Sequence, residues 1–382
     1  MSTTDSGAKD FSQGGARVGS FLTASQKRDL EDTAAAMATP GKGITACDES
    51  AGTIGARLEK VGIENSEEIR RQYRQMLFET PGCENYLCAA ILDPETLYQK
   101  SSNSNQLFPQ VLTERGIVPG VKPHLKVYTL PGTNGDTVMQ GLDSLAVRCR
   151  AYYQAGARFA KWRSPLAIDK ANGRPTSLAI QANMTDLARY ALICQSEGLV
   201  PIVEPDVSLT GTHTLEEAID VNLQIQSALF KAMMDHGVYM PGTMLKSNIV
   251  NPGQNCPESY TVEEIAHANV FVLEQCFPVA MKGANYLSGG QTLEDAAARL
   301  SAINQANSKG PWNLSFSWSQ ALQLPLLELC NDKGGELQLE AMSKLYLKEL
   351  QIASKASRGK HEWKRGEGDH VGVGAPSKKQ KV

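Results

Sequence analysis

The chain has 382 residues, enough for one large domain or two ordinary ones, and its 41% hydrophobic and 21% charged content excludes a disordered chain. A net charge of -3 gives no bulk electrostatic footprint for nucleic acid or for an anionic membrane surface. No apolar run approaches the ~20 residues of a membrane span, and the opening MSTTDSGAKDFSQGG lacks the apolar core of a secretory signal.

Residues 1–21 read as a flexible leader, and a first helical pattern follows over 24–38. Short apolar runs then recur along the chain: 43–47, 86–92, 117–121, 158–162, 199–203, 243–250, 284–287 and 314–318. They lack polar alternation, which suits strands buried on both faces of a parallel sheet. Amphipathic helical stretches lie between most of them. SEEIRRQYRQMLFE (66–79) places Ile69, Tyr73, Met76 and Leu77 on one stripe, and the segments over 141–156 and 176–198 end in glycines suited to capping. The segment over 214–237 opens on a capping-box pair, Thr214 and Glu217, and those over 261–276 and 292–307 start the same way. Only the connection over 93–116 is weakly helical. A last helix is expected over 335–356, and the Gly-rich polar stretch over 358–382 reads as a disordered tail ending in the basic SKKQKV.

Alternating strands and helices demand a parallel sheet with crossover connections. Eight such units in one domain predict a closed (β/α)8 TIM barrel over 22–357, with an extra helix at each end. A doubly wound open sheet is the alternative, but its Gly-rich first turn is missing: the turn here is ACDESAGT. Eight scattered cysteines without a CxxC pair read as reduced thiols in a cytosol-like compartment, an organelle remaining open. Six histidines without HxxxH or HxH spacing suggest no local metal site.

In a TIM barrel, chemistry sits at the C-terminal ends of the strands. Those ends carry Asp48, Glu49 and Ser50 after the first strand and Lys122 after the third. Lys161 and Arg163 fall on the fourth, Glu204 and Asp206 on the fifth and Lys246 on the sixth. Ser288, Gly289 and Gly290 follow the seventh strand, and Ser317, Ser319 and Gln320 the eighth. A lysine serving as nucleophile needs a free amine, so its pKa must fall from about 10.4 toward neutrality. Burial and a nearby second cation both lower it. Lys246 and Lys161, on strands facing one lumen, meet that need. Glu204 is within reach for proton shuttling as a carbinolamine becomes an imine, with Asp48 across the barrel. The Ser-Gly-Gly turn suits an anion cradle, and Lys122 with Arg163 favours a second anion on the other side of the mouth. Two anion sites flanking an imine-forming lysine describe a bis-phosphorylated ketose.

The stretches PGKGI…DES, ETLYQK, YYQAGARFAKWR, GLVPIVEP, MLKSN and LSGGQ, in this order, resemble class I fructose-bisphosphate aldolases across roughly 22–355. The resemblance implies reversible cleavage of fructose 1,6-bisphosphate, without a cofactor, to dihydroxyacetone phosphate and glyceraldehyde 3-phosphate. It implies Lys246 as the Schiff-base lysine, Glu204 as the acid/base of imine formation, and Asp48 and Lys161 as assistants in proton transfer and C3–C4 cleavage. Ser288, Gly289 and Gly290 would hold the phosphate of the ketone-derived half. Ser50, Thr53, Arg57, Lys122 and Arg163 would lie toward the other phosphate, with Ser317 and Gln320 completing the phosphate contacts. It also implies a homotetramer acting on sugar phosphates, with no membrane and no specific nucleic-acid partner.

Several positions depart from the family pattern. FSWSQAL stands where FSYGRAL or FSYARAL is usual, so Gln320 replaces a phosphate-binding arginine. KSN replaces KPN or KPS, VEPD replaces VEPE, and Thr53 stands where serine is common. The segment FPVAMKGANYL lacks the usual double proline, and the last tyrosine is Tyr346 rather than one near the C-terminus. These departures keep open a relative with impaired or shifted activity that acts as a binding or scaffolding protein. A metal-dependent aldolase is a third reading.

Overall fold

A computed structural model describes residues 17–307 and 310–363. In chain order its strands are β1 (Gly43–Cys47), β2 (Leu87–Leu92), β3 (Val118–Val121), β4 (Val127–Thr129), β5 (Thr137–Met139), β6 (Phe159–Leu166), β7 (Val200–Val207), β8 (Met244–Ser247), β9 (Gly283–Tyr286) and β10 (Asn313–Trp318). Eight of them close a parallel barrel in the order β1-β10-β9-β8-β7-β6-β3-β2, while β4 and β5 form a separate antiparallel hairpin. This is the (β/α)8 architecture expected from the alternation of apolar runs and helices.

The alternation of strand side chains decides which residues face the lumen. Ile44, Ala46, Ala89, Ile91, Phe159, Val200, Ile202 and Met244 pack into one buried cluster with the helix Ala24–Met37, through Leu30, Ala34 and Met37. Their neighbours Ala90, Leu92, Ala160, Trp162, Val203 and Leu245 belong to the larger cluster between the barrel and its outer helices. The barrel interior is therefore apolar on the side that the N-terminal helix covers. Two residues further along the same faces, the sequence switches to charge: Phe159 leads to Lys161, Ile202 to Glu204 and Met244 to Lys246. A period of two thus places all three ionisable groups inward.

Helix ends follow the expected capping chemistry. Thr214 accepts from the Glu217 N–H while the Glu217 carboxylate accepts from the Thr214 N–H, and Thr261 with Glu264 does the same. Such reciprocal pairs satisfy donors that a helix start leaves orphaned. At Thr292 only the first half forms, with the Asp295 N–H.

Some boundaries differ from expectation. The strand expected over 243–250 ends at Ser247, and Asn248 leaves the ladder to accept from the Val207 N–H. β6 and β7 run four residues beyond the apolar runs, in register from Phe159↔Val200 to Leu166↔Val207. Glu204 and Asp206 therefore lie within β7, which ends at Val207. The helix expected over 141–156 begins at Leu145, because Ser144 sits at φ 56°. That over 335–356 begins at Leu339, after Gly334 and Gly335 in the left-handed region. Of the leader, residues 1–16 lie outside the described residues, while the Gly19 N–H donates to the Gly237 carbonyl at 2.8 Å. Of the tail, residues 364–382 lie outside them, while residues up to 363 dock. Ser301 donates to the His361 carbonyl at 2.8 Å and Gln305 to that of Gly359 at 2.8 Å.

Candidate active site

Two lysines and two carboxylates meet at the mouth of the barrel. Glu204 is shared: its Oε1 lies 3.2 Å from Lys246 Nζ and its Oε2 3.1 Å from Lys161 Nζ. Lys161 Nζ also lies 2.6 Å from Asp48 Oδ2. All four side chains are buried, with Lys246 and Lys161 at 4% relative exposure. The chain Asp48–Lys161–Glu204–Lys246 therefore runs across the lumen from the end of β1 through β6, β7 and β8.

The two lysines differ in what surrounds them. Burial lowers the pKa of Lys246 below the ordinary 10.5, and the Lys161 charge adds to this against the pull of Glu204 and Asp48. Burial opposes the charge of Lys161 too, but two direct carboxylate contacts overcome it and raise its pKa. Burial also disfavours the Asp48 and Glu204 carboxylates, yet Lys161 and Lys246 hold both below their usual range, with Lys122 helping at Asp48 and Arg163 at Glu204. In the resting site Lys161 keeps its proton, both acids are ionised, and Lys246 is the amine closest to giving its proton up.

A cavity of about 470 Å³ opens over this chain. Besides Lys246, Glu204, Lys161 and Asp48 it is lined by Ser50, Thr53, Arg57, Lys122, Arg163, Ser288, Gly289, Ser317 and Gln320. Gly290 is the one expected residue off the lining. It lies just behind, where a Cβ would stand 3.8 Å from Gln320 Oε1. Gly289 and Gly290 adopt φ of 57° and 89°, so the turn after β9 uses backbone that side chains resist.

The cations on the opposite side carry partners. Lys122 Nζ lies 2.9 Å from Asp93 Oδ2 and also donates to the Asp48 carbonyl. Arg163 Nε meets Asp206 Oδ2 at 2.6 Å, its side chain 44% exposed. Arg57 donates to Glu49 at 2.9 Å and to Ser319 Oγ at 3.1 Å, tying the turn after β1 to the end of β10. Ser50 caps the helix Ala51–Glu59 through the Thr53 N–H and lies 3.0 Å from the Thr53 hydroxyl.

Other residues in or next to the cavity were not singled out from the sequence. The β4–β5 hairpin brings Val127 and Met139 to the cavity, with Leu125 and Lys126 just before it and His124 behind. Asn285 pairs in register with Lys246 on β9 and is buried, its neighbours Ala284 and Tyr286 packing outward. Its parity within ANYL is the signal that could have marked it. Nothing marked His124 beyond its place two residues after Lys122. Among the described residues, no group of His, Cys, Asp and Glu side chains is arranged to hold a metal ion, and all eight cysteines are free. No helix among them is long and apolar enough to cross a membrane.

A closed parallel barrel that buries an amine of lowered pKa beside a second lysine and two carboxylates defines an imine-forming (β/α)8 lyase. The family model for class I fructose-bisphosphate aldolase matches residues 29–373. A fructose-bisphosphate aldolase of Dictyostelium discoideum is 46% identical over 334 residues, covering 87% of this chain and 92% of its own. The human fructose-bisphosphate aldolase C is 43% identical over 357 residues, covering 93% and 96%. The structure of the Plasmodium falciparum aldolase, solved with TRAP and a small-molecule inhibitor, matches with a TM-score of 0.86. It is 39% identical and the match covers 90% of this chain and 98% of that one. The chain belongs to the class I fructose-bisphosphate aldolase family, and its activity is that of an aldehyde-lyase.

Proposed function

We propose that Lys246 forms the Schiff base with the ketone of fructose 1,6-bisphosphate and that Glu204, Lys161 and Asp48 move the protons. The observation that carries this reading is the 3.2 Å approach of Lys246 to a carboxylate already held by Lys161. Free Lys246 amine attacks C2 and gives a carbinolamine. Glu204, ionised in the resting site, takes a proton from the attacking nitrogen. Once the nitrogen loses its charge, Glu204 loses part of what holds its pKa down, and it can return that proton to the departing water. The iminium then accepts the electrons of the C3–C4 bond as the C4 hydroxyl surrenders its proton toward the Asp48–Lys161 pair. Glyceraldehyde 3-phosphate leaves. The enamine regains a proton at C3, and hydrolysis frees dihydroxyacetone phosphate and Lys246.

The family likeness supports the assignment of the phosphate positions. The Ser288–Gly290 turn follows β9, with the helix Gln320–Glu328 starting beside it, and holds the phosphate of the ketone-derived half. Lys122 and Arg163, after β3 and on β6, serve the other phosphate, with Ser50, Thr53 and Arg57 toward the same anion. Ser317 and Gln320 complete the phosphate contacts. With Gln320 in place of arginine, one charge-assisted hydrogen bond is absent from that set.

Steady-state cleavage of fructose 1,6-bisphosphate in the presence of a chelator tests the reading. Turnover within the usual enzymatic range, roughly 1–1000 per second, supports it. Activity that disappears with the chelator and returns with a divalent metal would contradict it. Relatives of this kind include one named as cytosolic in Arabidopsis thaliana, and a cytosolic homotetramer is proposed here on the family likeness. Light scattering at about four times the 41.3 kDa chain mass checks the assembly.

A further inference from the structure

His124 stands three residues beyond the end of β3 and lines the cavity over the Lys246–Glu204 pair. Its ring packs edge-on against Trp162, with centroids 5.9 Å apart at 70°. Both ring nitrogens are shielded from solvent, and neither has a hydrogen-bond partner among the described residues. A buried imidazole that leaves both nitrogens unpaired forfeits the water bonds it had when unfolded. Three cations lining the cavity with it are committed to carboxylates: Lys122 to Asp93, Arg163 to Asp206, and Lys161 to Asp48 and Glu204.

The chemistry of the unpaired group narrows what it would bind. Burial first, then Lys161, Lys122 and Arg163, push its pKa well below the usual 6.5 against the pull of Asp48. A neutral imidazole has one N–H donor and one nitrogen acceptor. That pair suits a hydroxyl, which also donates and accepts, and suits a phosphate dianion poorly. The barrel order fixes which end of the substrate it meets. β3 lies diametrically across the closed barrel from β9, which leads into the Ser288–Gly290 turn. The cradle and the imidazole therefore bracket the imine lysine from opposite sides.

We propose that His124 is a specificity-determining residue that hydrogen-bonds the hydroxyl next to the aldehyde carbon of glyceraldehyde 3-phosphate, which is the C5 hydroxyl of the ketose. The proposal rests on the assignment of Lys246 and of the ketone-side cradle given above. A site that aims an unpaired polar group at a substrate hydroxyl rejects the analogue lacking it, because the group is then left buried and unsatisfied.

The test is the condensation direction, run with dihydroxyacetone phosphate and either glyceraldehyde 3-phosphate or 3-oxopropyl phosphate, the same aldehyde without its hydroxyl. The readout is the ratio of the two kcat/KM values in the wild type, in His124→Phe and in His124→Asn. Phenylalanine keeps the ring and its contact with Trp162 but not the hydrogen bonds; asparagine keeps a donor and an acceptor. The expected result is a wild-type preference for the hydroxylated aldehyde that falls roughly tenfold in His124→Phe and is partly restored in His124→Asn. An unchanged ratio in His124→Phe, even with both rates lowered, would overturn the role of His124. Borohydride trapping of dihydroxyacetone phosphate on each variant separates this from the reading beneath it: failure to trap in the wild type overturns the assignment of Lys246 instead.

Discussion

Lys246 Nζ and Glu204 Oε1 lie 3.2 Å apart, yet Lys246 remains the lysine whose charge the barrel disfavours. The reason is competition. Glu204 spends its second oxygen on Lys161, which also holds Asp48, so the two negative charges neutralise Lys161 more fully than Lys246. The site thus sorts two chemically identical side chains into one whose charge is favoured and one whose charge is disfavoured.

That sorting costs stability, and the cost is measurable. Lys246 has a folded pKa below its unfolded value, so between the two the unfolded chain binds more protons and stability rises with pH. Lys246→Met should abolish cleavage yet raise the melting temperature near neutral pH, since Glu204 keeps Lys161 as a partner. The gain should shrink as pH rises toward about 10.5, where the unfolded lysine also loses its proton. Thermal denaturation of both proteins from about pH 6 to about pH 10 reads the trend. A variant less stable than the wild type throughout would count against a disfavoured charge at 246.

Removing the second cation acts on rate. Lys161→Met takes away a charge that lowers the Lys246 pKa and leaves Asp48 and Glu204 to pull on Lys246 alone. The rate of borohydride trapping should shift to higher pH, and cleavage should fall by about a hundredfold or more, the usual scale for losing proton-transfer assistance. A trapping profile that keeps its pH dependence would remove Lys161 from the activation of Lys246.

Gln320 stands beside the Gly289–Gly290 turn, where the family carries arginine. A hydrogen bond to a charged group contributes roughly 1.5–3 kcal/mol, so Gln320→Arg should lower the KM for the bisphosphate about tenfold to a hundredfold. Steady-state cleavage measures it. No gain would mean that the cradle differs by more than this one side chain.

Far from the mouth, Glu349 on the helix Leu339–Ala356 is buried, and burial together with the charge of Glu328 pushes its pKa up to about 8. A carboxyl raised in the fold holds its proton longer than the unfolded chain does, so stability is lost as pH rises from the unfolded value through about 8. Glu349→Gln should flatten the fall in melting temperature over that window and leave cleavage unchanged. Parallel slopes for variant and wild type would contradict the assignment.

The barrel was legible because its strands are short and apolar without alternation, and because Thr214 and Thr261 announce helix starts by the glutamate three residues on. The convergence of Asp48, Lys161, Glu204 and Lys246 was legible because all four stand at the C-terminal ends of strands, which a parallel barrel gathers at one rim. What stayed hidden was local geometry against propensity. Pro165 and Pro205 read as strand breakers, yet both sit inside the long β6–β7 ladder as register partners of Asp206 and Ser164. The β4–β5 hairpin escaped because VYT is exposed and only three residues long. The helix Gln320–Glu328 escaped because Pro325 interrupts its pattern. His124 owes its place to the connection after β3, which no periodicity encodes, whereas Asp93 directly follows β2 and caps the helix Pro94–Leu97.

The central claim is that one amine, at position 246, condenses with the substrate ketone. Incubation with dihydroxyacetone phosphate, reduction with borohydride and peptide mapping test it most directly. Stoichiometric label on Lys246, formed in the presence of a chelator and absent in Lys246→Met, is the predicted result. Label on Lys161 or another lysine, or no label while cleavage proceeds, would contradict it.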